Sequence, residues 1–101
     1  MMEEQRKVEE FVEKHGMEAT SAFRILDLVA EVGEIASDAA KSADYGLDEK
    51  NLEVKKDELG DAFFSLLSVA NDLDIDLEEA LDESLEKYES RISDKGDPGS
   101  K

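Results

Sequence analysis

The sequence contains no cysteine and no tryptophan, one histidine (His15) and one proline (Pro98). Without cysteine there are no disulfides, thiolate zinc sites or cysteine nucleophiles. The single histidine argues against a histidine-rich metal site and against a Ser-His-Asp triad. Basic residues are scarce, with 12 Lys and Arg against 28 Asp and Glu, a net charge of −16. Proteins that bind nucleic acid or anionic membranes need a basic footprint, so neither is an expected partner. No window approaches the roughly 18 apolar residues of a membrane span. The opening MMEEQRKVEE lacks the apolar core of a signal peptide. A soluble, cytoplasmic protein is expected.

Hydrophobic residues still make up 40% of the chain, enough to fold despite the charge. A length of 101 residues suits one domain. Its core is thin, so burial against a second copy of the chain is expected. Strand alternation and hairpin turns are absent from the pattern. Four helical segments are predicted instead. The first runs Glu3 to His15 and is interrupted by Gly16. The second runs Ser21 to Ala43 behind a Thr20 cap, with Phe23, Leu26, Val29, Val32 and Ile35 among its apolar positions. The third runs Leu52 to Leu73 behind Asn51, with Leu59, Phe63, Leu66 and Leu67. The fourth runs Leu77 to Ile92 behind Asp76, with the stripe Leu77, Leu81, Leu85, Tyr88 and Ile92. The expected fold class is an all-α four-helix bundle with short links, residues 1–93, followed by a frayed tail, 94–101.

Two acidic pairs sit inside the long helices: Glu31-Val-Gly-Glu34 and Glu58-Leu-Gly-Asp61. The i, i+3 spacing puts both carboxylates of each pair on one face. Arg24, Asp27, Glu31, Glu34 and Asp38 share a stripe on the second helix. Asp57, Glu58, Asp61, Ser65 and Asp72 share one on the third. A solvated charged face is the ordinary meaning of such stripes. Three details point elsewhere. Glu58 lies within about 40° of Val69 and Ala62 on the helical wheel, and Glu31 borders Ile35, so both sit at the edge of a buried face. Gly33 and Gly60 each cost a helix roughly 1 kcal/mol against Ala, which suggests close helix approach or ligand access. In an antiparallel hairpin centred on Gly46, Glu31 stands level with Asp61 and Glu34 with Glu58. Four such carboxylates either rise in pKa or enclose cations. Oxygen-only donors suit Mg²⁺ or Mn²⁺ and disfavour zinc or copper. Lys87 and Arg91, at i, i+4 on the fourth helix, suit phosphate oxygens. An ordinary cationic pair near a helix C-terminus fits them equally well.

The segment EVGEIASDAAK, with 23 residues between Glu34 and Glu58, then ELGDAFFSLLSVANDLDIDLEEAL, resembles the MazG-like nucleoside triphosphate pyrophosphohydrolases over about residues 20 to 92. The resemblance implies an all-α fold assembled as a dimer or a pair of dimers. It implies Mg²⁺-dependent hydrolysis of a nucleoside triphosphate to the monophosphate and pyrophosphate. The implied metal ligands are Glu31, Glu34, Glu58 and Asp61, and the implied phosphate-binding residues are Lys87 and Arg91. Two departures, Ala30 where many relatives carry Glu and the missing Trp, bear on base recognition and leave the metal cluster intact. The general base stays open among the four carboxylates, Asp57 and Asp38. Two alternatives stand beside this reading. One is a non-catalytic acidic module that oligomerises. The other is a related pyrophosphohydrolase acting on a phosphoribosylated nucleotide. Phe63 and Phe64 read as core or interface, with Phe64 projecting off the main apolar arc as a candidate partner contact. Ser68 and Asn71 are open to a base-pocket role that nothing in the sequence selects over the helix surface.

Overall fold

Thr20 and Asp76 mark the two clearest helix starts. The Thr20 hydroxyl accepts from the Phe23 N–H at 3.2 Å, and the Asp76 carboxylate accepts from the Glu78 N–H at 2.9 Å. Each satisfies an amide that a helix start leaves free. The computed structural model describes residues 1–45, 47 and 52–99. It contains four helices: α1 (Glu3–Lys14), α2 (Ser21–Ser42), α3 (Lys56–Asp72) and α4 (Leu77–Lys95). No strand occurs among the described residues. Over the described residues the chain is all-α and four-helical, as its periodicity predicts.

The boundaries differ in two places. The third helix begins at Lys56, not Leu52, behind Lys55, which makes no side-chain cap bond. The expected cap, Asn51, and the expected hairpin centre, Gly46, lie outside the described residues. At the other end, α4 runs past Ile92 to Lys95 and into the first part of the expected tail. It stops at Gly96, whose φ of 86° lies in the left-handed region that glycine tolerates. Asp74 closes α3 in the same region, with φ 58°, while the Ile75 N–H donates to the Ala70 carbonyl at 2.9 Å.

The second and third helices pair as an antiparallel hairpin, α1 lies on α3, and α4 makes only sparse contacts. Phe64 is half-buried and meets Phe11 edge to face at 6.2 Å, so it fastens α1 to α3 and is not the outward-facing aromatic. Phe63, nearly half exposed, takes that place. Gln5 is fully buried and ties α1 to the α3–α4 link. Its Nε2 donates to Asn71 Oδ1 at 3.1 Å and to the Ile75 carbonyl at 2.8 Å, and its Oε1 accepts from the Leu77 N–H at 2.8 Å.

The apolar arc of α2 is not the core of the single chain. Phe23, Leu26, Val29 and Val32 are more than half exposed, as are Leu59, Leu81 and Leu85. Among the described residues only Ala43, Leu67 and Ala70 are buried hydrophobics. The cause is the way the hairpin closes: α2 and α3 meet through their polar stripes, which turns their apolar faces outward. No described helix is long and apolar enough to cross a membrane.

Candidate active site

The two polar stripes face each other along the hairpin. At one end Arg24 Nε stands 4.0 Å from Asp72 Oδ2. Next, the buried Ser65 hydroxyl donates to Asp27 Oδ2 at 3.1 Å. Glu31 then faces Asp61, and Asp38 lies against Glu58. Glu31 and Glu58 are both half-buried, as expected, but under the opposing polar stripe and not at the edge of a buried apolar face.

Both carboxyls are pushed above the ordinary range. Partial burial is the main cause at Glu31, followed by the charges of Asp61, Glu34 and Asp27. Burial also leads at Glu58, followed by Asp38, while the Lys55 N–H and ammonium pull the other way. The Oε2 atom of Glu58 is buried and has no hydrogen-bond partner among the described residues.

The expected register is half met. Glu31 opposes Asp61, but Glu58 meets Asp38, one turn beyond Glu34, and Glu34 points to solvent on the flank of Glu31. Among the described residues no three acids are gathered into a ready-made metal site. The donor set nevertheless fits a hard divalent cation: it is all oxygen, Glu31 lies close to the charges of Asp61 and Glu34, and the buried Oε2 of Glu58 lacks a partner among the described residues. Asp27 and Asp38 were visible as stripe members. Their pairing with Ser65 and Glu58 was not, because it depends on the hairpin's register.

Beside Glu58 a cavity of about 340 Å³ is lined by Asp38, Lys41, Ser42, Glu53 and Lys55. The sequence pattern did not single out Lys41 or Lys55, whose i, i+14 separation spans the loop. Lys87 and Arg91 are not drawn to the acids within one chain. The Lys87 ammonium lies 5.3 Å from the Tyr88 ring centroid, and Arg91 Nη1 donates to the Pro98 carbonyl at 3.4 Å.

Raised carboxyl pKa values fix the sign of a pH dependence. Protonation of Glu31 and Glu58 is easier in the folded chain than at the ordinary value of 4.5. The stability this adds is complete below that value and is lost as pH rises through the raised folded values. Without divalent cation, the melting temperature should therefore fall as pH rises above the ordinary value of 4.5, and Glu31→Gln should flatten the fall. An unchanged slope in that variant, read by calorimetry, contradicts the assignment.

The two helical glycines meet only one of the two expectations held for them, since the space around them is open. A Cβ built at Gly33 or Gly60 would meet nothing within 4 Å, so neither marks a close helix approach among the described residues. Gly60→Ala should stabilise the isolated chain by about 1 kcal/mol, the helix-propensity difference. A loss of stability by thermal melting would show that a second chain occupies that space.

A helical hairpin whose two long helices meet through facing polar stripes defines the class: an all-α protein with acid side chains on both sides of one helix pair. Residues 20–94 match the MazG nucleotide pyrophosphohydrolase domain. The chain belongs to that family, a family of enzymes. It is also 37% identical over 73 residues to the uncharacterized protein YpjD of Bacillus subtilis (strain 168), a match covering 67% of this chain. The match spans 63% of that curated relative's length. No solved structure gives a significant match.

Proposed function

We propose that the chain hydrolyses a nucleoside triphosphate to the monophosphate and pyrophosphate, with Mg²⁺ (or Mn²⁺) held by Glu31, Glu34, Glu58 and Asp61. The observation that carries this reading is Glu31: a carboxyl raised first by its partial burial and then by three neighbouring acids, inside the matched span. A bound divalent cation supplies charge that polarises phosphoryl oxygens and acidifies water. It also inverts the local potential that would otherwise repel a polyphosphate. Water oxygen bonds to the α-phosphorus, the α–β bridging bond breaks, and pyrophosphate leaves. A carboxylate of the stripes, with Asp38 among the candidates, takes the water proton.

The exposed apolar faces of α2, α3 and α4 support assembly as a homodimer or homotetramer, in which Lys87 and Arg91 of α4 would meet substrate phosphates. A purely structural oligomerisation module would account for those faces. It would not account for a stripe of mutually repelling acids turned inward at the hairpin. A cytoplasmic location, a nucleotide-rich setting, accords with the reading. The test is a panel of triphosphates with pyrophosphate detection, with and without Mg²⁺. Pyrophosphate release that requires the cation is expected. Its absence across the panel, together with Mg²⁺ titration no tighter than at scattered surface acids, would overturn the proposal.

A further inference from the structure

Two turns from Glu31, on the same face of α2, the hairpin and α1 enclose a cavity of about 190 Å³. Val8 and Val12 of α1 form an apolar wall, and Arg24, Ser68 and Asp72 line the opposite one. Arg24 and Ser68 are 5% and 3% exposed. Arg24 spends one guanidinium nitrogen on the Met17 carbonyl, but its Nε–H has no hydrogen-bond partner among the described residues, nor has the Ser68 hydroxyl. Buried donors left unmatched are costly, so a native protein rarely keeps two on one cavity without a use.

We propose that Arg24 and Ser68 receive a carbonyl oxygen of the substrate's base, and so select keto-bearing bases over adenine. The inference rests on the pyrophosphohydrolase reading above for its substrate class. The chemistry of the wall decides the rest. Glu9, Glu13, Glu18 and Asp72 surround one Arg, so a phosphate is repelled from this cavity and an uncharged ring is not. A carbonyl oxygen has two lone pairs and can accept from both donors, whereas a ring nitrogen has one. Adenine is the one common base without a carbonyl. The Asp72 carboxylate, 4.0 Å from Arg24 Nε, suits the N–H that adjoins a carbonyl in guanine, uracil and thymine. By the helical rise, Arg24 sits about 10 Å along α2 from Glu31, a separation on the scale of a nucleoside. The base then lies in the cavity while the phosphates reach the acids.

The test uses uncharged nucleosides as well as triphosphates. Guanosine and uridine should bind the full chain more tightly than adenosine by roughly ten- to a hundredfold, as ligand-observed NMR titration reads. GTP and UTP should exceed ATP in kcat/KM by a similar ratio. Ser68→Ala should shrink both ratios without lowering the melting temperature, because the lost hydroxyl has no partner to leave behind. Arg24→Met should abolish them, and circular dichroism checks that the variant folds. If adenosine binds as well as guanosine, or Ser68→Ala leaves the ratios unchanged, the inference is overturned, whatever the state of the hydrolysis. If the nucleosides discriminate as expected but no triphosphate releases pyrophosphate, the base site stands and the hydrolase reading falls alone.

Discussion

Glu31→Gln, Glu58→Gln and Asp61→Asn should each lower Mg²⁺-dependent pyrophosphate release by at least about a hundredfold, the scale on which removal of a group that stabilises transition-state charge is felt. The same substitutions should leave the metal-free chain as stable as before, or more stable, at neutral pH. The two effects have one cause. Glu31 is crowded by Asp61, Glu34 and Asp27, and Glu58 by Asp38. An amide of the same shape removes that repulsion while forfeiting an anionic ligand. A residue with a merely structural role would lose stability and activity together. Opposite movements in a melting curve and a turnover assay identify a functional site held at the fold's expense. If turnover survives in all three variants, these acids are not the metal ligands. Mg²⁺ should raise the melting temperature of the parent chain, since a ligand that binds only the folded state stabilises it by mass action. It should do so far less in the variants.

The helices and the caps of α2 and α4 were legible because they depend on local rules: Thr20, Asp76 and the 3.6-residue spacing act within a few residues of themselves; the start of α3 was not. The half-burial of Glu31 and Glu58 was expected from their angle to Ile35, Ala62 and Val69, but its cause is the facing polar stripe of the other helix. The long-range pairing was not. That Glu58 would meet Asp38 and not Glu34 depends on the loop between α2 and α3, and a slip of one turn leaves the stripe pattern unchanged. The packing sense was misread more seriously. Leu26, Val29 and Val32 look like core on a wheel, yet they face outward once Ser65, Asp27, Arg24 and Asp72 occupy the hairpin interface. Amphipathicity shows that a helix has an apolar face. It does not show whether the cover comes from the same chain or another.

Gln5→Ala should be the most destabilising single substitution outside the acid stripes, by about 3 kcal/mol. Nothing in the sequence marked Gln5, since a glutamine two residues into a charged helix reads as surface. Its amide nevertheless makes the bonds that hold three elements together: to Asn71 on α3, to the Ile75 carbonyl in the link, and from the first N–H of α4 at Leu77. Truncation leaves the Ile75 carbonyl and the Leu77 amide without their partner in a part-buried corner, and an unmatched polar group costs about 1–3 kcal/mol where water cannot replace the partner. Against a total stability of roughly 5–15 kcal/mol for a domain, that is a large share. The corresponding fall in melting temperature exceeds about 10 °C for a chain of this size. Gln5→Glu is no rescue: it keeps an acceptor for Leu77 but removes the donor and buries a charge. Lys7→Ala, on the exposed side of the same helix, is the control and should change little. Because α4 is otherwise sparsely packed, the clamp would also set the angle at which its Leu81–Leu85–Ile92 stripe meets a second chain in the proposed assembly. Gln5→Ala should therefore weaken self-association in sedimentation at temperatures where the monomer is still folded. A melting temperature within about 3 °C of the parent would show that the clamp is not what fixes α1 to the α3–α4 corner.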